Sequence, residues 1–188
     1  HIGFDVSAIA RAVVANSSAD SIEQGGSTIT QQLVRMRYLE EDKSYERKLI
    51  ELFYANELEK MYDKQQILEM YLNEMYFGYQ VYGIGSASSF YFGKPLKDLT
   101  IAEAAFLAAI PNNPSLYNPV KRFDKTKARQ ERLLDTLVKN KIITEEEAAQ
   151  EKQQKIVLDV KQKTQKHPEY STYVLQEMRW LVSKQEGF

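Results

Sequence analysis

The chain has 188 residues, of which 43% are hydrophobic and 27% charged, with a formal net charge of −1. That length suits one well-buried domain, and the near-zero charge gives no general field to draw in nucleic acid or anionic lipid. There is no cysteine and there are only two histidines, which excludes disulfides, a thiol nucleophile and cysteine-based zinc sites.

Helical spacing dominates from the start and strand-like alternation is scarce. Residues 5–15 read as a first helix with Val6, Ile9, Val13 and Val14 on one side, and the polar stretch 16–26 reads as a loop. A second helix is expected from about Thr28, where Thr28 and Gln31 have the spacing of a capping box. The segment EEDKS, residues 40–44, separates it from a long helix over about 45–62. Leu49, Ile50, Leu52, Phe53 and Leu58 make most of that helix's circumference apolar, so it is expected to be largely buried. Asp63 reads as the N-cap of a helix over 64–76 that Gly78 ends.

The stretch 83–94 predicts a helix of small residues closed by Gly93. Thr100 with Glu103 predicts a further capping box, and Pro111 stops the helix that follows. Residues 111–119 are a loop by composition, Asp124 opens a helix to about 139, and Thr144 with Glu147 opens another. KIVLDV, residues 155–160, reads as a short strand, and Pro168 begins a final amphipathic helix carrying Tyr173, Met178 and Trp180. The expectation is a mainly α domain over 1–150, followed by an extension or linker over 151–188.

Two stretches hold chemistry. EQGGSTITQQLVR, residues 23–35, places Gly25, Gly26, Ser27, Thr28, Thr30, Gln31 and Gln32 at the mouth of a helix, where unpaired N–H groups favour anions. A glycine-punctuated cap with two exposed glutamines fits the same residues. In DKSYERKLIELFYANELEK, residues 42–60, Arg47, Lys48 and Glu51 share one helix face. That set fits an ordinary intrahelical ion pair, or a cleft in which cations including Arg35 and Lys43 hold a diphosphate beside a working carboxylate. Asn73 and Glu74 form a polar pair near a helix end, within a stretch otherwise suited to core packing.

The runs QGGSTITQQ, RKLIE, QILEMYLNEMYFG with YGI, and LTIAEAAFLAAIPNNPSLYNP follow one another in this order. The combination resembles the peptidoglycan glycosyltransferase (transglycosylase) domain of glycosyltransferase family 51, found in class A penicillin-binding proteins and in monofunctional peptidoglycan glycosyltransferases. The resemblance covers about residues 1–140. It implies a lysozyme-like, bilobal helical fold with a large lobe and a small membrane-proximal jaw lobe. It further implies polymerisation of lipid II into β-1,4 glycan strands, with a growing glycan-lipid as donor, inversion at C1 and release of undecaprenyl diphosphate.

On the matching positions, the resemblance makes Glu51 the second of two key carboxylates. Gly26, Ser27, Thr28, Thr30, Gln31, Gln32, Arg35, Lys43, Arg47, Lys48 and Asn73 become substrate-binding residues. Lysine and arginine are exchanged at two of the basic positions relative to some relatives, which keeps charge and alters fork geometry. The family's first motif runs Glu-Asp, two residues, Phe, two residues, His, one residue, Gly. His1 and Gly3 fit its end, so its glutamate, the presumed general base, would lie seven positions before His1. These 188 residues are therefore expected to bind substrate while polymerising poorly.

No cofactor is expected to be required, with Mg or Mn bridged by the substrate diphosphate as the metal-dependent alternative and no dedicated metal ligands. The implied partners are lipid II, a membrane surface through an apolar jaw, a phosphoglycolipid inhibitor of the moenomycin type, and a covalently linked transpeptidase domain, but no nucleic acid. Candidate lipid-facing positions are the apolar residues of 6–14, Met36 and Tyr38. The implied location is the outer face of the bacterial cytoplasmic membrane, anchored by a segment outside this chain. The competing functions are a non-catalytic lipid II-binding or scaffold module and a lysozyme-like lytic enzyme.

Overall fold

The computed structural model describes residues 28–38 and 45–160. The expected helices at 5–15 and after Pro168, the polar loop 16–26, and the positions of Gly25, Gly26, Ser27 and Lys43 lie outside the described residues. Within them the protein is mainly helical. In chain order come α1 (Ile29–Tyr38), α2 (Tyr45–Met61), α3 (Lys64–Glu74), α4 (Ile84–Phe92), a 3-10 turn (Leu96–Asp98), α5 (Ile101–Ala109), α6 (Phe123–Lys139) and α7 (Glu145–Gln153).

The helix starts follow the caps read from the sequence. Asp63, Thr100 and Thr144 each accept from the backbone N–H three residues on, and Gln66, Glu103 and Glu147 return the bond to the cap N–H. At the start of α1, Gln31 N donates to Thr28 Oγ1 at 3.2 Å. Gly93 closes α4 in the left-handed region, with φ of +64°.

The core centres on α5, whose residues from Ala102 to Ala109 are all buried. Its alanines let neighbouring helices approach closely, and Phe106 fills the space between Phe92 and Phe123. The polar groups sealed around this helix are satisfied. Gln130, fully buried on α6, donates to Ala102 O at 2.9 Å, while Glu151 of α7 accepts from Ala102 N at 2.8 Å. Lys94 reaches Glu103 at 2.6 Å.

Two expectations are corrected. Residues 155–160 form no strand: the segment is extended, buries Ile156, and is tied to α4 through Asp159 N donating to Tyr91 O at 2.9 Å. A lone backbone link of this kind does not build a ladder. The second correction concerns α2, where only Glu51 and Ala55 are buried while Tyr45, Leu49, Ile50, Leu52, Phe53 and Tyr54 are exposed. The helix is turned inside out relative to its composition. Counting apolar residues around a helix does not say which sector faces the neighbours, and here the charged sector does.

Candidate functional site

The inward sector of α2 meets α1, and the contact is built from charge. Glu51 has 0% relative exposure, yet its carboxylate is fully engaged. Arg35 of α1 approaches it as a fork, Nε to Oε2 at 3.2 Å and Nη2 to Oε1 at 3.3 Å. Lys48, one turn back on α2, donates to Oε1 at 2.7 Å. A carboxylate removed from water is stable as an anion only with such partners. Burial alone would raise the pKa of Glu51, but the hydrogen bonds and charges of Arg35 and Lys48 outweigh it and hold the carboxyl below its ordinary value.

The cations are less enclosed than the anion between them: the side chains of Arg35 and Lys48 are 42% and 44% exposed. The cluster thus presents a buried negative charge behind two accessible positive ones. Gln31 joins it, accepting from Lys48 Nζ at 3.5 Å. Gln32, one residue on, instead accepts from the buried Tyr71 hydroxyl of α3 at 2.8 Å, which pins α1 to α3.

The structure therefore gathers Gln31, Arg35, Lys48 and Glu51 into one contact. Thr28 is exposed and spends its oxygen on the helix cap, and Thr30 is buried against the interior. Arg47 is half-buried beside Lys48 on α2. Asn73 is exposed at the far end of α3, and no hydrogen bond joins it to the Glu51 group among the described residues. An ion pair that the sequence reading passed over, Arg37 with Glu74 at 3.3 Å, links the last turn of α1 to the end of α3. Its signal was the second arginine two positions after Arg35, but the partner lies 37 residues away on another helix.

Among the described residues, no group of three or more histidine, cysteine, aspartate or glutamate side chains is placed to hold a metal ion. Both oxygens of Glu51 already accept from cations, so this carboxylate does not fit a resident divalent ion unless Arg35 or Lys48 withdraws.

The transglycosylase family model matches residues 1–138. Penicillin-binding protein 4 of Bacillus subtilis is 53% identical over all 188 residues of this chain, which correspond to 30% of that protein. Penicillin-binding protein 1F of the same organism is 42% identical over 174 residues, 93% of this chain and 24% of its own length. Penicillin-binding protein 1A from Haemophilus influenzae, a crystal structure, shares the fold with a TM-score of 0.50 and 26% identity across 85% of this chain and 20% of its own. The chain thus spans less than a third of the relatives it matches, and over that span it belongs to the transglycosylase family.

Proposed function

We propose that this chain is the peptidoglycan glycosyltransferase part of a longer, membrane-anchored protein, and that it polymerises lipid II. The observation that carries the reading is the Glu51 cluster, a carboxylate kept ionised behind two accessible cations at the junction of α1 and α2. In the transfer, the 4-hydroxyl of the acceptor attacks C1 of the donor, the C1–oxygen bond to the diphosphate breaks with inversion, and undecaprenyl diphosphate leaves. Charge grows on the leaving diphosphate, and Arg35 and Lys48, with Lys43 and Arg47 at motif-matched positions, would stabilise it there. Glu51 holds the two cations in register. The acceptor proton would go to the first-motif glutamate ahead of His1.

The two accessible cations beside Glu51 favour a diphosphate donor over a lytic enzyme, which cleaves between sugars with a pair of carboxyl groups and needs no such clamp. No cofactor is needed for this chemistry. A Mg or Mn ion, where one takes part, would arrive on the substrate diphosphate, and the same cations would hold a moenomycin-type phosphoglycolipid.

Membrane contact is assigned to α2. Tyr45, Leu49, Leu52 and Phe53 form an exposed stripe at helical spacing, outside the inward sector that carries Glu51 and Ala55. An apolar stripe of this kind suits the acyl boundary of a bilayer. No helix among the described residues is long and apolar enough to cross a membrane. The location would be the outer face of the cytoplasmic membrane, with a transpeptidase domain linked to the same polypeptide.

Lipid II polymerisation in detergent tests the reading, with labelled glycan chains resolved on a gel for this chain and for one extended N-terminally through the first motif. Polymer from the extended chain is expected. Binding of lipid II without polymer from either would refute the enzyme and leave a lipid II-binding scaffold.

A further inference from the structure

Tyr71 belongs to the inward face of α3 with Ile67 and Leu72, and all three are buried. A phenol in such a place brings a hydroxyl that must find a partner once water is gone, a need that phenylalanine would not have. The partner is Gln32 of α1, whose Oε1 accepts from the Tyr71 hydroxyl at 2.8 Å across 39 residues of chain. One turn further along α3, Glu74 meets Arg37 of α1 at 3.3 Å. Gln32 and Arg37 bracket Arg35 in the sequence, so α3 grips α1 on either side of the residue that forks on Glu51. The two grips are unequal. Arg37 and Glu74 have side chains 46% and 36% exposed, and an ion pair that wet holds little. Tyr71 is 4% exposed, so its bond is shielded from water and is the firmer of the two.

Arg35 depends on how α1 is seated. Its contacts with Glu51 are 3.2 and 3.3 Å, at the long end for a charged pair, whereas Lys48 reaches the same carboxylate at 2.7 Å. Lys48 and Glu51 share a helix, so helical spacing sets their distance. Arg35 arrives from a different helix, and its distance follows the roll of α1 about its own axis. Leu33 and Val34 bury one side of α1, but apolar packing is non-directional and tolerates a small roll. The bond at Gln32, which lies one turn from Arg35, is directional and resists it.

We propose that Tyr71 is a positioning residue for the transfer reaction: its hydroxyl, through Gln32, fixes the roll of α1 and so holds the Arg35 guanidinium where the leaving diphosphate gains charge. This rests on the glycosyltransferase reading and adds a residue that acts through α1 rather than on the substrate. The charge that Arg35 meets grows as the C1–oxygen bond breaks, so a misplaced guanidinium costs turnover more than it costs binding.

The test uses the N-terminally extended chain and compares Tyr71→Phe, which removes one oxygen, with the parent and with Gln130→Leu. Gln130 lies on α6 and serves Ala102, so its loss lowers stability without touching α1. Tyr71→Phe should lower kcat for lipid II polymerisation by about three- to tenfold, the scale of one hydrogen bond, with KM within about twofold. A carbon-13 titration of the Glu51 carboxyl should show its midpoint rise towards the ordinary carboxylate range as Arg35 loosens, with Lys48 still in place. Gln130→Leu should leave kcat and that midpoint alone at an equal or greater loss of Tm. Once Arg35 is replaced by alanine, Tyr71→Phe should have little further effect on kcat. If Tyr71→Phe fails to fold, Gln32→Met removes the acceptor instead and carries the same comparisons. An unchanged kcat, a Glu51 midpoint that stays put, or a loss of turnover that Gln130→Leu reproduces overturns the positioning role. An active parent beside an indifferent Tyr71→Phe sinks that role alone, whereas a parent that binds lipid II and makes no polymer sinks the glycosyltransferase reading beneath it.

Discussion

Replacing Glu51 by glutamine keeps the shape and removes the charge, so it isolates what the carboxylate does. In the native protein it accepts three charge-assisted hydrogen bonds from Arg35 and Lys48. Hydrogen bonds involving a charged group contribute about 1.5–3 kcal/mol each. Here both donors are more than 40% exposed and would turn to water when the anion is lost, so the bonds do not sum. A net loss of about 1–3 kcal/mol at pH 7 follows, roughly 2–12 °C in Tm for a chain of this size. The pH dependence has a definite sign. Because the folded pKa of Glu51 lies below its unfolded value, its stabilisation is present above that unfolded value and fades as pH falls through the folded one. The gap between parent and Glu51→Gln should therefore be full at pH 7 and close in acid, below the ordinary carboxylate range. On lipid II, with the N-terminally extended chain, turnover should fall by about 10²–10³, the scale of one lost group in a preorganised charged site. Unchanged turnover would remove Glu51 from the mechanism, and a stability gap that widens in acid would refute the ionised assignment.

Arg35→Ala should weaken binding of a phosphoglycolipid of the moenomycin type by about tenfold and make the residual binding less salt-sensitive, and Arg35→Lys should restore it only in part because the two-pronged contact is lost. Unchanged inhibition in a polymerisation assay would place the clamp elsewhere. Gln130→Leu strips the buried carbonyl of Ala102 of its donor and should cost about 1–3 kcal/mol, read by thermal unfolding. Gly93→Ala should cost about 1–2 kcal/mol through its left-handed backbone. Its new Cβ would sit 2.6 Å from Asp159 Oδ2, a movable side-chain end, so pairing it with Asp159→Ala should recover little, and full recovery would show that the clash dominates. Phe53→Glu should abolish sedimentation with lipid vesicles and leave Tm unchanged, whereas a drop in Tm would show that the α2 stripe packs against protein.

Much of the local architecture was legible because local rules govern it. The caps at Asp63, Thr100 and Thr144 depend on a side chain and a backbone N–H three residues apart, and the closing role of Gly93 depends on its own φ. The Ala-rich run of α5 marks the helix that is most enclosed among the described residues. The candidate site was half legible. Arg47, Lys48 and Glu51 share a face by helical spacing alone, but the fork of Arg35 on Glu51 joins residues 16 apart on two helices, and no periodicity sets that angle.

By itself the sequence determined where the helices among the described residues start and stop, which family motifs follow one another, and that charge and hydroxyl groups gather near α1. Only the tertiary structure decided which side of α2 faces inward. Composition favoured burying Leu49 and Phe53. The fold buries Glu51 instead, because Arg35 arrives from another helix to neutralise it, and the apolar stripe is left outside. Burial of an ionised group is decided by partners distant in the chain, and their arrival is a property of packing rather than of spacing.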